Sequence, residues 1–255
     1  MTNKTNKQTL EDFLIYSYFG IVPENVFKDS EKICGIYGDD YDEYRRKRAI
    51  MVAYRDATNQ GAYNALFTKE LENRNILIEN SNTAQNESAK YLLKQIGKLS
   101  STADHEEWHK ETCKELVQKY KDSGVNDNGI FFTYGNAQKW VNMTMKYLWM
   151  LELLPDNLNV EEVHIPIDSF IIDAMWSDQK VNFPFKLEST NRRKKYAKPS
   201  DHVSGWSQWD EKMYESFRRD LPEEYSLSWE NNAWIKQVEK RKEADLKKQY
   251  EKFFK

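Results

Sequence analysis

Apolar residues in this chain recur at three- and four-residue spacing far more often than they alternate, and that period predicts helices. Phe13, Leu14, Ile15, Tyr16 and Phe19 make a first apolar run, with a capping-box pattern at Thr9 to Asp12 before it and Gly20 to stop it. Residues 39–60 predict a second helix that buries Tyr44, Ala49, Met51, Val52 and Tyr54, interrupted by the basic cluster Arg45-Arg46-Lys47-Arg48. Residues 61–77 follow with Tyr63, Leu66, Phe67 and Leu71 on one face. The polar stretch NSNTAQNE at 80–87 reads as a loop, 88–99 as a helix, and 103–121 as a helix carrying Trp108, Leu116, Val117 and Tyr120. Asp127-Asn128-Gly129 reads as a tight turn. The most apolar helix spans 137–154 and stops at Pro155; further helices follow at 168–176, 205–219 and 231–254. Short extended pieces fit 160–165 and 181–185, and no internal repeat is present. The expectation is an all-α, multi-helix globular fold. It is a single helical domain over 1–255, divisible into lobes at 1–100 and 101–230, with a charged C-terminal helix at 231–255.

Composition narrows the function classes. With 39% hydrophobic and 14% aromatic residues a packed core is feasible, while 9 glycines and 6 prolines argue against a turn-rich β fold. A net charge of −3 is not the basic balance of a typical nucleic-acid binder, so such a role requires a local basic patch. Arg45–Arg48 and the run Arg192, Arg193, Lys194, Lys195 are the two candidates. Two cysteines, Cys34 and Cys113, predict reduced thiols rather than a disulfide framework. The N-terminus lacks the apolar run of a signal peptide, and no stretch reaches membrane-spanning length, so a cytoplasmic protein is expected.

The chemistry concentrates between Phe131 and Met175. Lys139 lies in the first turns of the apolar helix, four residues after Gly135, and Asp168 lies where the next helix starts. Burial and the positive end of a helix both favour a neutral amine, which would make Lys139 a nucleophile; a structural ion pair is the plainer alternative. A glycine turn opening a helix also offers amide N–H groups to a phosphate. His105, His109 and Cys113 share one helical face, but the outer two lie about 12 Å apart along the axis and cannot hold one ion. The run HEEWHKE reads as a solvated face, so neither a metal nor a cofactor is expected. His164 reads as a satisfied, partly buried histidine. Trp206, Trp209 and Asp210 suit either a pocket for an extruded base or a staple and cap opening a helix.

The pattern G-x-A-x-K on an apolar helix (Gly135, Ala137, Lys139), followed by Ile165-Pro166-Ile167-Asp168, resembles the helix-hairpin-helix DNA glycosylases, nearest the archaeal 8-oxoguanine branch. The resemblance covers about 45 residues, 131–175. It implies an all-helical DNA-repair enzyme in which Lys139 attacks C1′ of a damaged nucleotide and Asp168 assists. It also implies that Tyr134, Gly135, Asn136 and Gln138 lie at the hairpin that holds the DNA backbone, next to the basic run Arg192–Lys195. Trp206, Trp209 and Asp210 would then line the base pocket, with DNA as partner and the activities of a glycosylase and lyase. The chain departs from the usual Leu-Pro-Gly-x-Gly hairpin, having one glycine, and 29 residues separate Lys139 from Asp168. The alternative is a non-catalytic helical module, of phage or defence-system type, that binds a protein partner.

Overall fold

A computed structural model describes residues 6–58, 74–99, 105–126, 132–156, 158–178, 205–219, 221–222 and 224–254. The described residues form an all-α fold without a strand. In chain order the helices are α1 (Asn6–Phe19), α2 (Glu24–Lys28), α3 (Glu31–Tyr37), α4 (Tyr41–Thr58), α5 (Arg74–Leu99), α6 (His105–Asp122), α7 (Tyr134–Met150), α8 (Ser169–Asp178), α9 (Glu211–Arg219) and α10 (Leu227–Phe254). Single 3₁₀ turns occupy Val160–Glu162 and Trp206–Gln208.

Helix ends follow local chemistry. α1 begins at Asn6, so Thr9 lies inside it instead of capping it, and Gly20 ends it in the left-handed region at φ +66°. The Arg48 guanidinium fills the space a side chain at Gly20 would need, and its Nε donates to the last carbonyl of α1, Phe19 O, at 2.8 Å. Arg45 Nη2 does the same for the end of α7, donating to Leu151 O at 2.6 Å. Two members of the basic cluster therefore cap helices, where cations complement the carbonyl end.

Four further sequence expectations change. Residues 80–87 are not a loop but the middle of α5. Its buried positions Leu77, Ser81, Ala84, Ser88, Leu92, Ile96 and Leu99 form one stripe at helical spacing, and the small residues let the helix approach its neighbours closely. The helix expected over 205–219 breaks at Trp209–Asp210, where the Asp210 carboxylate caps α9 by accepting from Met213 N at 2.8 Å. The last helix starts at Leu227, which brings Glu230 into its first turn. Residues 160–165, expected to be extended, begin with a 3₁₀ turn, while the pieces expected at 127–129 and 181–185 and most of 61–77 lie outside the described residues.

α7 is the central helix. It packs on α4 and α6 and meets the Trp206–Gln208 turn and α9 near its start, while α5 covers α4 and α6 and α10 packs on α8. One cluster of buried side chains runs from Phe19 to Ala233. Among the described residues no helix is long and apolar enough to cross a membrane.

Candidate active site

α7 is sheltered along nearly its whole length, so its polar residues must find partners inside the protein. Thr133 and Asn136 form a capping box: Thr133 Oγ1 accepts from Asn136 N, and Asn136 Oδ1 accepts from Thr133 N, each at 3.2 Å. Asn136 Nδ2 also donates to Ala57 O at 3.0 Å, tying the helix start to the end of α4. Gly135 N, expected to face a phosphate, instead donates to Trp209 O at 2.9 Å. A Cβ at 135 would overlap the Trp206 carbonyl, so the glycine is needed to let this turn dock. Gln138 donates to Gly135 O at 2.9 Å and Ile167 O at 3.2 Å. Tyr134, Gly135, Asn136 and Gln138 are all buried, and this protein uses Gly135, Asn136 and Gln138 to seat the 206–209 turn, α4 and the segment before α8.

Lys139 and Asp168 converge. Lys139 Nζ lies 3.2 Å from Asp168 Oδ2, with side-chain exposures of 7% and 12%. Asp168 Oδ1 accepts from Phe170 N at 2.8 Å and Ile171 N at 3.1 Å, so the carboxylate is the N-cap of α8. The Lys139 ammonium lies 4.6 Å from the centroid of the Trp206 ring, within cation–π range. Two turns further along α7, Lys146 Nζ meets Glu230 Oε2 at 2.5 Å, a second buried pair. Glu230 feels both Asp168 and Lys139, so the two pairs form one electrostatic unit of two cations and two acids. Burial pushes the Glu230 carboxyl up to about 7, against the opposing pull of Lys146. Glu230 is not legible from the sequence as a buried partner. The one available signal was an acid set among Trp229, Ala233 and Trp234.

A polar cluster adjoins this unit. His105, His109 and Cys113, expected on a solvated face, are buried instead, because α6 turns that face toward α7. His164 joins them, its ring centroid 4.1 Å from that of His109. Burial, first of all, holds both His109 and His164 well below the ordinary histidine value, and their neighbours His105 and Arg218 add to it. Burial likewise pushes the Cys113 thiol up, which keeps it protonated. Among the described residues no group of three or more histidine, cysteine or acidic side chains is arranged to hold a metal ion.

The remaining candidates divide. Trp206 touches the Lys139 amine, whereas Trp209 is fully buried against Phe217 and Asp210 is an exposed helix cap. Arg192, Arg193, Lys194 and Lys195 lie outside the described residues. A cleft of about 450 Å³ opens beside the start of α7, lined by Lys121, Phe132, Tyr134, Trp209 and Asp210 among others. Another of about 520 Å³ lies at its far end, by Trp149, Met150 and Leu154. Neither Lys139 nor Asp168 lines either cleft. The chain matches no protein-family model, no curated protein and no solved structure.

Proposed function

We propose that this protein is a DNA glycosylase and lyase of the helix-hairpin-helix kind, acting on a modified or damaged base. The observation that carries the reading is the 3.2 Å approach of Lys139 Nζ to Asp168, whose carboxylate is fixed by two backbone amides. A carboxylate held in that way accepts a proton from the lysine ammonium without having to be repositioned. The neutral amine attacks C1′. The bond from C1′ to the base breaks, its electron pair leaves on the base, and the base takes a proton from solvent. The new amine then loses its proton as O4′ leaves C1′ and is protonated, giving a Schiff base. Loss of a C2′ proton from that species expels the 3′ phosphate. Trp206, already against the amine, offers the aromatic face for an extruded base, and the reading assigns phosphate contacts to Arg192–Lys195.

The test is incubation with duplexes carrying an abasic site or 8-oxoguanine, followed by borohydride. A covalent adduct that disappears in Lys139→Gln supports the reading. Absence of an adduct across lesions, with the fold intact, removes it. A second reading, a non-catalytic helical interaction protein, is favoured by the deep burial of the pair away from both clefts. It is also favoured by the exposed stripe Leu10, Phe13 and Leu14 on α1. It predicts no adduct together with a stable complex through α1.

A further inference from the structure

A continuous hydrogen-bond chain leads from the surface to the residue before Asp168, and its atom assignments are fixed by groups that can only accept. Gln138 Nε2 faces the carbonyls of Gly135 and Ile167, and Asn142 Nδ2 faces the carbonyl of Ile165 at 3.0 Å. The oxygen of Gln138 therefore accepts from Asn142 Nδ2 at 3.1 Å. Asn142 Oδ1 is left to accept, so the His109 Nε2 that lies 2.8 Å away must carry the proton. Asn142 Nδ2 also faces the Tyr214 hydroxyl at 3.0 Å, so its two hydrogens are shared among three acceptors, and that hydroxyl lies 3.0 Å from His164 Nδ1. His164 Nε2 lies 2.9 Å from the carboxylate of Glu106, an acceptor, so Nε2 carries the proton and Nδ1 accepts from Tyr214. Glu106 is 63% exposed and also accepts from Arg218 at 2.7 Å.

We infer that Gln138, Asn142, Tyr214 and His164 are positioning residues that deliver Asp168 to Lys139, and that protonating His164 releases the segment they hold. The inference rests on the reading of Lys139 and Asp168 as the working pair. Gln138 and Asn142 grip the carbonyls of Ile167 and Ile165, the backbone that leads directly into the α8 cap. A second proton on His164 would sit on Nδ1 and point at Tyr214. That hydroxyl already faces the Asn142 donor and would have to take both, leaving its own proton without its present acceptor. The groups facing His164 are the charged Glu106 and Arg218 and the neighbouring imidazole rings of His105 and His109, with Tyr214 closing the remaining side. Glu106 favours the charged ring. Burial, Arg218 and His105 outweigh it, so the chain is intact at neutral pH and breaks in acid.

The test is amide hydrogen exchange, corrected for the intrinsic pH dependence, followed on peptides covering 168–175 and on α4 as internal control. As pH is lowered from 7.5 to below the ordinary histidine range, the wild-type 168–175 segment is expected to lose protection by about five- to tenfold while α4 does not. His164→Gln, neutral at every pH, keeps an acceptor and a donor and should make that acid loss clearly smaller than in the wild type, leaving the part that belongs to His109. Tyr214→Phe cuts the chain and should lower protection of 168–175 already at pH 7.5. Glu230 and His109 also titrate, but both are present in the wild type and in His164→Gln, so the difference between the two proteins reports His164. Unchanged protection of 168–175 in Tyr214→Phe, or an acid loss in His164→Gln as large as in the wild type, overturns the inference. Failure of the glycosylase reading is separate: no borohydride adduct forms with the wild type, while the exchange pattern stands.

Discussion

Lys146 and Glu230 meet at 2.5 Å in a nearly water-free interior, with side-chain exposures of 7% and 2%, and they join the central helix to the first turn of the last one. The pair is a source of opposed pH dependence. Glu230 ionises at about 7 in the fold against about 4.3 in the unfolded chain, so its contribution to stability falls as pH rises through about 4.3 to 7, by roughly 4 kcal/mol in all. His109 and His164 act in the other direction. Their folded values lie well below the unfolded value of about 6.5, so stability falls as pH drops below about 6.5. Glu230→Gln removes the component that falls with pH, so relative to the wild type it should gain stability as pH rises from 5 to 7. Its urea midpoint should also rise steadily from pH 5 to 7, where the wild-type curve is flatter. Parallel curves for the two proteins would show that Glu230 is not the titrating group.

Gly135→Ala should lower stability by about 1–3 kcal/mol, a cost typical of forced overpacking. The added methyl meets the backbone carbonyl of Trp206, not the end of a flexible side chain, so the 206–209 turn must shift. Because Trp206 also carries the Lys139 ammonium, the shift should alter tryptophan emission along with the denaturation midpoint. An unchanged midpoint would mean the turn does not sit on the start of α7.

Arg45→Ala and Arg48→Ala should each cost about 1–3 kcal/mol, the range for a charge-assisted hydrogen bond lost from a helix end. Neither should weaken DNA binding measured by fluorescence polarisation on conditions where both remain folded. The opposite result, weakened binding at unchanged stability, would return the Arg45–Arg48 cluster to a polyanion-binding role.

The helices that bury a broad apolar stripe were legible in the sequence: 39–60 against the observed Tyr41–Thr58, 103–121 against His105–Asp122, 137–154 against Tyr134–Met150. Residues 80–87 look like a loop because they are polar, yet their buried positions keep the helical period. Ser81, Ala84 and Ser88 are polar or small, yet they continue the stripe set by Leu77 and Leu92. The histidine face of α6 was misread for a related reason. Charged residues between His105, His109 and Cys113 suggest solvent, but those charges point outward while the three face α7. Lys139 and Asp168 could be paired from sequence because each lies near the start of one of two successive α-helices. Lys146, Asn142, Tyr214 and Glu230 could not, since what joins them is burial against partners far away in the chain.

Proteolytic mapping of the borohydride-reduced complex tests the central claim most directly. If Lys139 is the attacking amine, the added nucleotide mass resides on the peptide containing residue 139, and trypsin no longer cleaves after it. An adduct mapped to another lysine, or a wild-type protein that folds and yields no adduct with abasic DNA, would contradict the account.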